Sequence, residues 1–162
     1  MVEHGPKANT ADNDRTRKVR LTRDFDATRA RVFKAWIEPA EMARWWGPHG
    51  FTNPVCELDA RPGGVIRIDM QGPDGVVYPM SSIFQEIVEP ERLVFTAVAE
   101  DKKGGALIEA HTTVTLAERK GRTTLTVEAN GVARQPVGAQ MMQGMEEGWS
   151  QSLEKLGALL AE

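Results

Sequence analysis

Between Phe51 and Asn130 the chain is interrupted at short intervals by turn signals, and this punctuation restricts the possible folds more than any other feature. The clearest are Arg61-Pro62-Gly63-Gly64, Gly72-Pro73-Asp74-Gly75, Glu89-Pro90-Glu91, Lys103-Gly104-Gly105 and Lys120-Gly121. Glycine there supplies positive φ and proline pre-sets the turn, so each cluster reverses the chain rather than continuing a strand or helix. Six extended runs remain, at roughly 52–60, 64–71, 76–88, 92–100, 106–118 and 122–129. Parallel pairing needs a crossover of a dozen or more residues, and these connections are far shorter. The runs therefore predict an antiparallel meander.

The flanks read differently. Val19 to Phe25 alternates with one irregularity and suits a first strand with one packed face. Asp26 or Thr28 can cap a helix in which Val32, Phe33, Trp36 and Ile37 form one stripe. Pro39 fits the first position of a second short helix, which Gly47 and Pro48 end. At the other end, Gln140 to Leu160 returns to helical period, with Met141, Met145, Trp149, Leu153, Leu156 and Leu160 on one face. The predicted class is α+β, in the order strand, two helices, six strands, long helix. About seven strands form one curved antiparallel sheet, and the C-terminal helix crosses its concave face, which buries every stripe.

A length of 162 residues with 41% apolar and 27% charged residues fits one domain, expected over 18–162, after a polar tail at 1–17 expected to be disordered. The 20 basic and 23 acidic residues leave a net charge of −3, which argues against nucleic acid as a partner. The lone Cys56 cannot close an intrachain disulfide, no Cys/His set has zinc spacing, and no glycine loop is placed to cradle a phosphate. No metal or cofactor is expected, and a reducing cytoplasm is the expected compartment. No apolar run has the length of a signal peptide or a membrane span.

Five segments in order, DATRARVFKAWIEPAEMARWWGP, LDARPGG, MQGPDG, EIVEPERLVFT and GMEEGWSQSLEKLGALL, resemble the family of homologues of the activator of the heat-shock-protein-90 ATPase, within the START-like (SRPBCC) superfamily. The resemblance runs from about Arg20 to Leu160 and points to a bacterial single-domain member. It implies the helix-grip fold, in which the long helix and the sheet enclose an apolar cavity. The eukaryotic co-chaperone that names the family has a large additional N-terminal domain, while only a short polar stretch precedes the first strand here. A heat-shock-protein partner is therefore left in doubt.

Strand alternation places Ile66, Ile68 and Met70 on one face, with Tyr78, Met80, Ser82 and Phe84 on one face of the next run, and both sets are assigned to the concave side. Phe95, Leu125 and Val127 join them from further strands, and Met141, Met145 and Trp149 face them from the helix. Trp36, Trp45, Trp46 and Phe51 complete the candidate cavity set. Trp45 and Trp46 are adjacent, so one belongs to the core and the other to the cavity mouth or an interface. The ordinary account of such stripes is core packing. Gly144 and Gly148, each costing roughly 1 kcal/mol in a helix interior, and a methionine stripe that can adapt to varied ligands fit a hollow beneath the helix and equally fit close packing of helix on sheet.

Catalysis would need a titratable group poised in the cleft. Tyr78, Glu86 and His111 are the candidates, Tyr78 being the best placed to orient a ligand by one hydrogen bond. Alternation turns His111 to solvent, and Arg67 and Asp69 to cross-strand charge pairs on the exposed face. The reading that needs least beyond these residues is a non-catalytic binder of a hydrophobic or aromatic small molecule. The alternatives are an enzyme like the polyketide cyclases and hydrolases of the superfamily, or an interaction module using an apolar patch around Trp45, Trp46 and Phe51. A homodimer is the commonest assembly to expect.

Overall fold

A computed structural model describes residues 15–162. Its seven strands are β1 (Thr16–Phe25), β2 (Thr52–Leu58), β3 (Val65–Gln71), β4 (Val77–Val88), β5 (Arg92–Glu100), β6 (Ala106–Arg119) and β7 (Arg122–Ala133). They form one sheet in the order β1-β7-β6-β5-β4-β3-β2, antiparallel throughout. Each hairpin joins neighbours, as the short turns require, and the chain start closes the sheet by laying β1 against β7. The class, the curved sheet and the C-terminal helix on it are those expected from the sequence.

β1 begins at Thr16, earlier than the Val19 start expected, and Thr16 and Arg17 pair with Val132 and Gly131. Residues read as the end of a tail thus belong to the sheet, because β7 continues to Ala133 and offers them a partner. The rest of the expected tail, 1–14, lies outside the described residues.

Helices α1 (Arg29–Ile37) and α2 (Pro39–Trp45) follow β1. Thr28, not Asp26, caps α1: its hydroxyl accepts from the Arg31 amide. At the other end the Trp45 indole Nε1 donates to the Ala35 carbonyl at 2.9 Å, meeting one of the acceptors that a helix C-terminus leaves unpaired. Pro39 sits at the start of α2, as expected.

The long C-terminal helix is two helices. α3 (Pro136–Met142) and α4 (Met145–Leu160) meet at Gln143 and Gly144. Gly144 is therefore a joint and not a helix interior, and the Gln143 and Gly144 amides close the last turn of α3 onto the Gln140 and Met141 carbonyls. Pro136 starts α3 four residues before the expected Gln140. A side chain at Gly138 would bring its Cβ to 2.1 Å from the Leu107 carbonyl oxygen, so only glycine lets α3 lie this close to β6. Leu153, Leu156 and Leu159 of α4 pack into a core with Phe33, Trp36, Phe95, Val114 and Leu125. None of the helices among the described residues is long and apolar enough to cross a membrane.

Candidate functional site

A cavity of about 280 Å³ opens between the sheet and the junction of α3 with α4. Ala97 and Ala110 form part of its floor, in a row across four strands that continues to Ser82 and Gly131 beyond the lining: Ser82 pairs with Ala97, Ala97 with Ala110, and Ala110 with Gly131. No side chain in this row exceeds a hydroxymethyl group. Two residues further along each strand the row becomes Phe84, Phe95, Thr112 and Ala129, and the two phenyl rings fill the space edge to face at 6.4 Å. The space opens where Ala97 and Ala110 are small and ends on one side where Phe84 and Phe95 fill the neighbouring row.

The helix joint forms the roof. Met141, Met142 and Met145 reach down beside Gly144, and Gly148, Trp149 and Ser152 continue the lining along α4. The fit to the floor is close, since a Cβ on Gly131 would come 2.9 Å from the Met142 sulfur and 3.2 Å from the Met145 sulfur. With Met70 and Met80, five of the 7 methionines in the chain line this one space. Their flexible thioethers adapt to irregular shapes and make favourable contacts with aromatic rings.

Trp46, Gly47 and Pro48 form the side wall, and several bonds fix them. Asn53 Nδ2 donates to the Ala43 and Trp46 carbonyls, at 2.9 and 2.8 Å. Lys155 Nζ on α4 lies 3.1–3.4 Å from the carbonyls of Trp46, Gly47, Pro48 and Phe51. Burial lowers the Lys155 ammonium from the usual lysine range. The four carbonyl dipoles favour its charged form, which makes it a cationic clasp between the wall and the roof. Gln151 accepts from the His49 amide, and the His49 ring meets Glu154 at 3.0 Å, so the same segment is fastened twice more to α4.

Of the candidate cavity residues, Trp46, Met70, Met80, Met141, Met145 and Trp149 line this space. Trp36, Trp45, Ile66, Ile68, Phe84 and Phe95 do not; they are buried in the core instead. The two adjacent tryptophans divide as expected, with Trp45 wholly buried and Trp46 on the wall. Both are covered, so the exposed apolar patch expected around Trp45, Trp46 and Phe51 is not formed. Phe51 and Tyr78 pack on each other at 5.9 Å, outside the lining. Alternation missed Ala97, Ala99, Ala110, Ile108, Thr112 and Ser152. Apart from Ile108, their signal was small or slightly polar residues at inward positions, visible in the Ala-Val-Ala of residues 97–99.

The three catalytic candidates stand apart from the cavity and from each other. His111 is exposed, Glu86 pairs with Arg92 at 3.0 Å across the β4–β5 turn, and Tyr78 rests on Phe51. Arg67 makes a cross-strand pair with Glu100 of β5 at 3.7 Å, as expected, while its contact with Asp69 at 3.2 Å runs along its own strand. Among the described residues no acidic, basic, cysteine or tyrosine side chain lines the cavity, and no group of His, Cys, Asp and Glu could hold a metal ion.

Cys56 lies half-buried on β2 against the core, and burial, helped by the neighbouring Glu57 carboxylate, pushes its thiol up to about 11. Near pH 8 it should react with iodoacetamide about a hundredfold more slowly in the folded protein than in guanidinium, as the thiolate fractions require. Because the folded value is the higher one, its contribution to stability is present below about pH 9 and lost as pH rises through about 11. Equal alkylation rates in the folded and unfolded protein would contradict the burial that causes both effects.

The family model described as "Activator of Hsp90 ATPase homolog 1-like protein" matches residues 26–161. No curated protein matches the sequence. Among solved structures, a protein from Arthrobacter aurescens is similar at 30% identity and a TM-score of 0.75, over 89% of this chain and 86% of that one. The AHSA1 protein from Silicibacter pomeroyi is similar at 28% identity and a TM-score of 0.75, over 90% and 98%. A protein from Nitrosomonas europaea shares the fold, at 24% identity and a TM-score of 0.73, over 93% and 96%.

Proposed function

Since the chain belongs to the family of activator of Hsp90 ATPase homolog 1-like proteins, whose fold is typical of ligand-binding or polyketide cyclase-like proteins, we propose that it binds a small, uncharged hydrophobic or aromatic molecule in the cavity beneath the α3–α4 joint. The observation that carries this reading is the lining itself, which combines five methionines and two tryptophans around a space of about 280 Å³ with no ionisable side chain. That volume is close to the lower end of the roughly 300–1,000 Å³ of ligand pockets. A ligand the size of an aromatic side chain buries about 150–250 Å². At about 25 cal/mol per Å² this contributes roughly 4–6 kcal/mol, against which the loss of translational and rotational freedom on binding must be set.

A cyclase or hydrolase would need an acid or base within hydrogen-bond reach of the reacting atom. Tyr78, Glu86 and His111 lie outside the lining, so binding without chemistry accounts for the site more fully. A homodimer and a chaperone partner are separate proposals that the cavity does not require.

Native mass spectrometry on protein purified from its own host, followed by gentle denaturation, tests the reading. A small molecule released at one per chain is the expected result. An empty protein that also fails to take up 2-naphthol in calorimetry would overturn it, and a tight dimer or protein partner in the same spectrum would favour an interaction module.

A further inference from the structure

One polar group in the cavity has no use in the fold. Ser152 lines the space from α4 with only 5% of its surface exposed; among the described residues its hydroxyl makes no hydrogen bond to another protein group, and it is not one of the sealed polar atoms without a partner, so it opens on the cavity. The other buried hydroxyls near the floor are engaged: Ser82 Oγ donates to the Thr96 carbonyl at 2.8 Å and Thr112 Oγ1 to the Ala110 carbonyl at 3.3 Å. A serine in the second turn of a helix could donate back to the carbonyl four residues earlier, but Ser152 makes no such bond to Gly148. A hydroxyl that opens on the space without a protein partner is free to meet a ligand group there.

We infer that Ser152 is the polar anchor of the cavity and selects ligands that carry one uncharged hydrogen-bonding group, such as a hydroxyl or carbonyl, on an otherwise apolar ring system. The inference rests on the ligand-binding reading and deepens it. A hydroxyl serves as donor or acceptor, so it recognises either kind of neutral group. Its single hydrogen bond replaces little of the hydration of a full negative charge, and no cation lines the space, so a carboxylate is disfavoured. Position supports the role: Ser152 lies on the same helix as Gly148 and Trp149, so a ring packed on Trp149 and the cavity methionines is within the space Ser152 faces.

Isothermal titration calorimetry with naphthalene, 2-naphthol and naphthalene-2-carboxylate tests this on the wild type and on Ser152→Ala. In the wild type, 2-naphthol should bind about tenfold more tightly than naphthalene, and the carboxylate at least about a hundredfold more weakly than 2-naphthol. Ser152→Ala should erase the preference for 2-naphthol while leaving naphthalene within about twofold, and should melt no lower than the wild type because no protein hydrogen bond is lost. Equal binding of naphthalene and 2-naphthol by the wild type would overturn the anchor and leave the apolar cavity standing. So would an equal loss of both ligands in the variant. If neither neutral probe binds the wild type, the cavity reading fails and the anchor with it.

Discussion

Gly148→Leu is expected to abolish most binding of 2-naphthol while leaving the protein as stable as the wild type or slightly more so. Gly148 lies inside α4 and lines the cavity, and a Cβ built on it meets only Pro48 Cγ, at an ordinary 3.7 Å. The first atom of a side chain is thus accommodated and the remaining atoms must enter the hollow. Exchanging glycine for a good helix former gains about 0.8 kcal/mol in a helix interior. Against this, a leucine side chain occupies space a ligand would fill, and at least a tenfold loss of affinity follows. Opposite signs for stability and binding separate a cavity from a tightly packed core, where added atoms cost about 1–3 kcal/mol. Calorimetry and thermal melting on the same preparation check both. A folded variant that binds 2-naphthol as the wild type does would show that no ligand occupies the space below Gly148.

Trp45→Ala should have the largest effect on stability, about 3–5 kcal/mol. Trp45 is wholly buried, stands edge-on to Trp36 at 4.6 Å and caps the Ala35 carbonyl. Such a loss is a large share of the roughly 5–15 kcal/mol that holds a domain folded. Urea denaturation at 25 °C should show the midpoint falling steeply. Trp45→Phe keeps most of the packing and leaves the Ala35 carbonyl unpaired, so it should cost less, about 1–3 kcal/mol. A Trp45→Ala protein as stable as the wild type would mean that the tryptophan cluster of α1 and α2 does not anchor the fold. Trp46 follows Trp45 directly and forms the cavity wall, so the stability of one residue positions the binding surface of the next.

These two residues show how far the amino-acid order could be read. Two neighbouring tryptophans at the end of a helix must diverge, and one had to be core. Which of them faces the cavity was decided by tertiary contacts: the Ala35 carbonyl that takes the Trp45 indole, and the Asn53 and, 109 residues away, Lys155 donors that hold the Trp46 carbonyl. The break at Gly144 was present in the letters as Pro136, Gly138 and Gly144, but the continuous apolar stripe from Met141 to Leu160 concealed it. A stripe records which side is buried and does not register a change in axis.

Local order alone determined the number of strands, their antiparallel sense and the faces they bury. Those properties depend on turn residues and on periods of two and 3.6 along a single segment. Where that buried face is hollow was decided only by the tertiary structure. Ala97 and Ala110 belong to different strands, and nothing in either strand marks it as part of a row. Volume is a property of side chains brought together by register across strands, and register is settled when the whole core packs. Trp36, Trp45, Phe84 and Phe95 therefore became core, Trp46 and Trp149 kept a place in the lining, and Ala97 and Ala110 left the room.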